Sequence, residues 1–198
     1  MIAAQATLEA LYAQHCASGS AMAAHLPRLR TLATGCEQAV EFGVKRGAST
    51  TALLLGAERV ISYDIAATPQ AKALERIAGP RWTYRIEDSR TATLPLCDLL
   101  LVDSLHTYAQ VQAELLAHAD RARHWLVFHD VSTFGEIGAD GETGRPLWAY
   151  TVGQSVPPAA YGIRPAIDAL MMRDPSWYIA ARYTDSHGLL VLERRCRP

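Results

Sequence analysis

An α/β fold built on a doubly wound, mostly parallel sheet with a C-terminal antiparallel hairpin is what this sequence predicts, on three observations. Short β-branched and apolar segments alternate with helical ones along the chain. A glycine-bearing turn follows the first strand-like segment, and Asp64 ends the second about twenty residues later. Asp98 to Val102, apolar after its first residue, suits a strand buried on both faces of a parallel sheet. Sheets of this kind bind ligands beyond the carboxyl ends of their strands, so the informative residues are those that end strands.

The elements follow in order. Leu8, Leu11, Tyr12, Met22, Leu26, Leu29 and Leu32 recur at spacings of three and four, interrupted by Ser18-Gly19-Ser20 and Pro27, which predicts two helical pieces within 1–34. Ala39 to Phe42 reads as a strand closed by Gly43, and Thr50 to Leu55 as a short helix stopped by Gly56. Val60 to Asp64 is the second strand. Thr68-Pro69 then supplies a cap and first-turn proline for a helix ending at Gly79-Pro80. Trp82 to Ile86, Asp98 to Val102 and Trp125 to Phe128 are three more strands. Before the last of these, Thr107 and Gln110 have capping-box spacing, and Val111, Leu115, Leu116, Ala119 and Ala122 form one helical stripe. Ser132 to Gly144 carries four glycines and no apolar period, a candidate lid. Residues 166–172 look helical. Tyr178 to Tyr183 and Leu189 to Leu192 flank Asp185-Ser186-His187-Gly188 as a hairpin. With 198 residues, 49% of them apolar, the chain is expected to form one domain, with N-terminal helices over 1–34 and an α/β core over 35–198.

Nineteen basic residues against twenty acidic ones give a formal charge of −1, and the basic ones are scattered. That balance argues against a nucleic-acid or anionic-membrane binder and leaves a small-molecule partner. Cys16, Cys36, Cys97 and Cys196 have neither the spacing of a zinc site nor the density of a disulfide framework, so reduced thiols are expected. The N-terminus lacks a basic head before an apolar run, and no apolar stretch is long enough to span a bilayer; a cytoplasmic protein is expected. The N-terminal helices either close the pocket or build a homo-oligomer, and the sequence leaves both open.

The stretch from Glu41 through Gly43, Gly47 and Ser49 to Thr50 joins strand to helix where glycines admit a ligand to the backbone and helix amides face it. It is not G-x-G-x-x-G, which opposes a dinucleotide-dependent oxidoreductase. Asp64 stands where an acidic side chain accepts both hydroxyls of a ribose. With these residues the chain resembles the class I S-adenosylmethionine-dependent methyltransferases, a Rossmann-like fold whose E-x-G-x-x-x-G-x-[ST] turn and acidic second-strand end line the cofactor pocket. Val102 to Tyr108 and Val127 to Val131 further resemble a small O-methyltransferase-like group with D-x-x-H-x-Y and F-H-D-V patterns.

The resemblance implies S-adenosylmethionine as cofactor, with Glu41, Gly43, Gly47 and Ser49 around its methionine part, Asp64 at the ribose, Asp88 and Ser89 at the adenine, and Asp103 beside the sulfonium. An alcohol acceptor needs deprotonation. His106 and His129, at neighbouring strand ends, suit a general base because imidazole titrates near neutrality; capping a loop by hydrogen bonds is the alternative role for each. Asp103, His129 and Asp130 also form a candidate site for Mg2+ or another divalent ion that activates a hydroxyl. His15, His25, His118, His124 and His187 read as surface or packing residues. Trp148 and Tyr150 are candidates for an acceptor wall or for helix core, and Arg145 and Arg164 for recognition of an anionic acceptor or for plain solvation. O-methylation of a small-molecule or sugar hydroxyl is the leading expectation. A protein that binds the cofactor without turnover is the alternative. A nucleic-acid base methyltransferase is disfavoured, since Asp103-Ser104-Leu105 is no base-gripping turn.

Overall fold

The computed structural model describes residues 2–139 and 161–195. Helices α1 (Ile2–Cys16) and α2 (Leu26–Ala33) flank a short 3-10 turn at Ala23–His25 and lead, among the described residues, into seven strands and four further α-helices. The strands are β1 (Gln38–Phe42), β2 (Arg59–Asp64), β3 (Trp82–Ile86), β4 (Cys97–Val102), β5 (Ala122–His129), β6 (Trp177–Tyr183) and β7 (Leu189–Arg194). Between them run α3 (Ala48–Gly56), α4 (Pro69–Ala78), α5 (Tyr108–His118) and α6 (Arg164–Arg173).

The strands form one sheet in the order β3-β2-β1-β4-β5-β7-β6. Pairings from β3 through β5 are parallel, while β7 pairs antiparallel with β5 and β6. This is the doubly wound, mostly parallel sheet with a C-terminal antiparallel hairpin that the sequence predicts. Alternation along β4 divides its side chains between two cores. Leu99 and Leu101 join Leu26, Leu29, Leu53 and Leu74 on one face, and Leu100 and Val102 join Val111, Leu115, Ile167 and Leu170 on the other. The order reverses between β1 and β4, whose carboxyl ends open the crevice where such sheets bind ligands. Gly43 N donates to the Tyr63 carbonyl at 2.9 Å and Asp103 N to the Phe42 carbonyl at 3.0 Å, tying the three strand ends together.

Four local expectations are corrected. Strand β5 starts at Ala122, not Trp125, because backbone pairing with β4 recruits the exposed polar residues Arg123 and His124. Leu116 is 62% exposed; Ala119 and Ala122 are buried as expected but lie beyond the end of α5, and Glu114 and His118 add buried polar positions on the helix. The capping box is half formed. Gln110 N donates to Thr107 Oγ1 at 3.3 Å, but the Gln110 amide turns inward to Ser89 and Glu114. Residues 132–139 of the glycine-rich stretch are held rather than open: Phe134 N donates to the Asp130 carbonyl and Ala139 N to the His106 carbonyl, both at 2.8 Å. The remainder of that stretch lies outside the described residues. Burial pushes the Cys36 and Cys97 thiols up to about 11 and about 12, as expected of inert core cysteines. Among the described residues no helix is long and apolar enough to cross a membrane.

Candidate active site

Glu41, on β1, is fully buried. Its Oε2 accepts from Thr50 Oγ1 at 2.6 Å and Ser62 Oγ at 2.7 Å, while Oε1 has no hydrogen-bond partner. Burial lifts this carboxyl to about 7, against the opposing pull of Ser49, Thr50 and Ser62. Gly43 follows at φ 87°, and a Cβ there would lie 2.1 Å from the Asp103 carbonyl oxygen, so only glycine lets this turn close onto the end of β4. Gly47 caps α3 in the left-handed region, and Ser49 is buried in the first turn of that helix. Asp64 ends β2 beside the turn. Its Oδ2 accepts from Val44 N at 2.8 Å and Lys45 N at 3.0 Å, whereas Oδ1 receives only a long contact from Ala66 N at 3.3 Å.

Asp88 and Ser89 part company beyond β3. Asp88 is held by Arg90 Nε and Nη2 at the surface, and that guanidinium draws its carboxyl below the usual range. Ser89 is buried and donates to Glu114 Oε1 at 2.5 Å. Glu114 also accepts from the Gln110 amide at 2.8 Å and from Ser104 Oγ at 2.9 Å. One buried carboxylate on α5 thereby fixes the loops after β3 and β4. Sequence reading missed it, because Glu114 looks like any helical glutamate until its helix is docked.

Asp103, His106, His129 and Asp130 converge beyond β4 and β5. His106 Nε2 lies 3.2 Å from Asp103 Oδ1 and 3.3 Å from Asp130 Oδ2, and its ring stacks on Phe134 with centroids 4.9 Å apart. His129, 3% exposed, places Nδ1 at 3.3 Å from Asp103 Oδ1 and 3.1 Å from Asp130 Oδ1. Neither approach has hydrogen-bond alignment, and both His129 nitrogens and Asp130 Oδ1 are buried without a partner. Burial opposes charge on His129, yet the two carboxylates outweigh it and raise the imidazole to about 10. Burial likewise opposes charge on Asp103, but His106 and His129 hold its carboxyl well below the usual range. Asp130 adopts φ 62°, a left-handed conformation, and its carboxylate lies beside His106 and His129. One donor atom from each of Asp103, His129 and Asp130 lies within 4.8 Å of the others.

Two residues read from sequence as ordinary belong to this neighbourhood. His187, in the β6–β7 turn, brings Nδ1 to 3.3 Å from Asp130 Oδ1. His25, fully buried, meets His129 edge to face at 5.3 Å. No sequence spacing links them to β5; only the antiparallel pairing of β7 with β5 brings the turn there. Arg164 is taken up by Asp168 at 3.0 Å, one turn along α6. Arg145, Trp148 and Tyr150 lie outside the described residues.

Residues 40–131 match a family described as a methyltransferase domain. No curated protein matches the chain in sequence. Among solved structures, it is similar to an O-methyltransferase from Bacillus cereus in complex with S-adenosylhomocysteine (TM-score 0.65, 17% identity, covering 98% of this chain and 91% of that one). It is also similar to the N-methyltransferase NodS from Bradyrhizobium japonicum WM9 with S-adenosylhomocysteine (0.59, 16%, 98% and 99%). A third is 1,6-didemethyltoxoflavin-N1-methyltransferase from Burkholderia thailandensis (0.62, 14%, 98% and 87%). At these identities the likeness establishes the fold. That fold is the class I methyltransferase fold, and the segment matching the methyltransferase domain runs from β1 to just beyond the end of β5.

Proposed function

We propose that the protein transfers the methyl group of S-adenosylmethionine to a hydroxyl of a small molecule, with a divalent cation assisting at Asp103, His129 and Asp130. The observation that carries this reading is the convergence of two carboxylates and two imidazoles beyond β4 and β5, on the same floor as the glycine turn that Gly43 closes against Asp103. The cofactor's chemistry fits the residues of that turn. The buried, unpartnered Glu41 Oε1 calls for a donor such as the methionine ammonium, and Asp64 Oδ1 retains acceptor capacity for ribose hydroxyls. A cation fits as well, since His129 Nδ1 and Asp130 Oδ1 face one another unbonded between two carboxylates. When bound, such an ion lowers the pKa of an acceptor hydroxyl as a Lewis acid.

His106 is then the base. Its Nε2 lies between Asp103 Oδ1 and Asp130 Oδ2, both acceptors, so the ring proton belongs on Nε2 and Nδ1 is left to receive the hydroxyl proton. Phe134 fixes the ring plane. Methyl transfer itself needs an in-line nucleophile at short range, which positioning supplies.

Calorimetric titration with S-adenosylmethionine and S-adenosylhomocysteine tests the cofactor. Binding weakened at least about tenfold in Asp64→Ala, the loss of a hydrogen-bonded charge, is expected. Acceptor screening of wild type and His106→Ala, with Mg2+ or chelator, then tests base and cation. Failure of both ligands to bind, with NAD binding in their place, overturns the proposal; binding without transfer to any acceptor favours a non-catalytic cofactor-binding protein.

A further inference from the structure

We infer that His187 supplies a second imidazole to the cation site, completing a two-histidine, two-aspartate centre suited to a first-row transition ion such as Mn2+ over Mg2+. The inference rests on the cation reading above. Four polar atoms from three segments are linked pairwise at the spacing of adjacent metal ligands: His129 Nδ1 and His187 Nδ1 lie 3.1 and 3.3 Å from Asp130 Oδ1, and Asp103 Oδ1 lies 3.3 Å from His129 Nδ1. Asp103, His129 and Asp130 form the mutually close set, and His187 joins it through Asp130. Ligands bound at about 2.1 Å and at right angles stand roughly 3 Å apart. A set of hydrogen bonds would give similar distances but would align, and Asp130 Oδ1 and both nitrogens of the nearly inaccessible His129 have no hydrogen-bond partner.

The hairpin turn is built to hold His187 there. Ser186 and His187 occupy the left-handed region at φ 46° and 71°, conformations that non-glycine residues keep only where the surroundings impose them. Ser132 N and Thr133 N both donate to the His187 carbonyl, at 2.8 and 3.3 Å. On the other side, His25 Nε2 lies 3.1 Å from the carbonyls of both Asp185 and Ser186. Arg28 Nη1, which can only donate, lies 2.8 Å from His25 Nδ1, so His25 is neutral with its proton on Nε2, directed at the turn. The turn is thus pinned from the N-terminal segment and from the β5 loop, with the half-exposed His187 ring left facing Asp130. Two nitrogen and two oxygen donors move preference from Mg2+, which takes oxygen almost exclusively, toward ions that accept imidazole.

Chelator-treated protein titrated with Mn2+ and with Mg2+ by calorimetry, and pulsed electron paramagnetic resonance of the Mn2+ complex, test the inference. Mn2+ binding roughly tenfold or more tighter than Mg2+, with couplings to two imidazole nitrogens, is expected. His187→Asn, whose side chain tolerates the left-handed backbone, should lose one coupling and weaken Mn2+ by about tenfold or more. Unchanged affinity and couplings in that variant overturn the role of His187 and leave the three-residue site standing, as does a single imidazole coupling in wild type, which decides the matter even if the variant does not fold. Equal or tighter Mg2+ binding overturns the metal preference. Failure of wild type to bind either ion removes the cation reading together with this inference, while cofactor binding to the glycine turn stands or falls separately.

Discussion

A carboxyl group buried at the end of β1 with one oxygen unpartnered is an expensive feature for a fold to keep, and its cost depends on pH. Glu41 is lifted to about 7 from its ordinary 4.5, so between those values the folded chain holds a proton that the unfolded chain has released. Stability therefore falls as pH rises through that window, with the full penalty, on the order of 3 kcal/mol, present above it. Glu41→Gln keeps an acceptor for Thr50 and Ser62 and removes the charge. Its urea midpoint should exceed that of wild type at pH 8 and converge with it near pH 4; parallel profiles would mean that Glu41 ionises as an exposed carboxylate does. The same residue shows how the site can be read from sequence. The placement of Glu41, Gly43, Asp64, Asp103, His106, His129 and Asp130 around the candidate site was legible because each lies at or just beyond the carboxyl end of a strand, where this architecture gathers chemistry. His25, Glu114 and His187 were not, since what makes them informative is docking across the molecule: an acid on a helix face and a histidine in a tight turn carry no signal until α5 and the hairpin are placed.

At the scale of elements, the β1–α3 turn is where local conformation and tertiary packing can be separated by experiment. Gly35 and Gly43 have nearly the same φ, 83° and 87°, but a Cβ at Gly35 meets nothing within 4 Å while one at Gly43 meets the Asp103 carbonyl at 2.1 Å. Gly35→Ala should cost about 1 kcal/mol, the left-handed penalty alone. Gly43→Ala should cost roughly 1–3 kcal/mol more, because backbone must move to relieve the overlap. Denaturant midpoints of the pair measure the difference, and equal losses would mean that the β1 turn yields without disturbing β4. Thr68 gives a further measure: its Oγ1 accepts from Ala71 N at the start of α4 and donates to the Lys45 carbonyl in the same glycine turn. Thr68→Ala is expected to cost about 1 kcal/mol on the same assay. Element order, the cap at Thr68 and the hairpin were legible because turn and cap residues act locally. The start of β5 and the exposure of Leu116 were not, because sheet pairing and helix rotation answer to neighbours that the sequence does not identify.

For the whole molecule, the question is whether the N-terminal helices are an appendage or part of the machinery that shapes the site. The contacts favour the second. His25 bridges to the carbonyls of Asp185 and Ser186, and Arg28 reaches Asp185 at 3.0 Å and lies over the Tyr183 ring at 3.9 Å, so residues 25–28 clamp a turn some 160 positions away. The two residues should contribute unequally. Arg28 and Asp185 are both partly exposed, and solvent screens a pair of that kind so that it stabilises little in water. His25 is fully buried, and His25→Ala removes its packing and strands two carbonyls, at a cost of about 2–4 kcal/mol. If the chain is one domain, that loss appears as a single shifted unfolding transition, with no separate N-terminal phase. Native-state hydrogen exchange resolves the coupling. The Ser132 and Thr133 amides, bonded to the His187 carbonyl, should exchange faster in His25→Ala at a pH where the wild type protects them. Acceleration confined to the amides of residues 23–33 would show that the clamp holds only the N-terminal segment, and that the hairpin keeps His187 beside Asp130 without it.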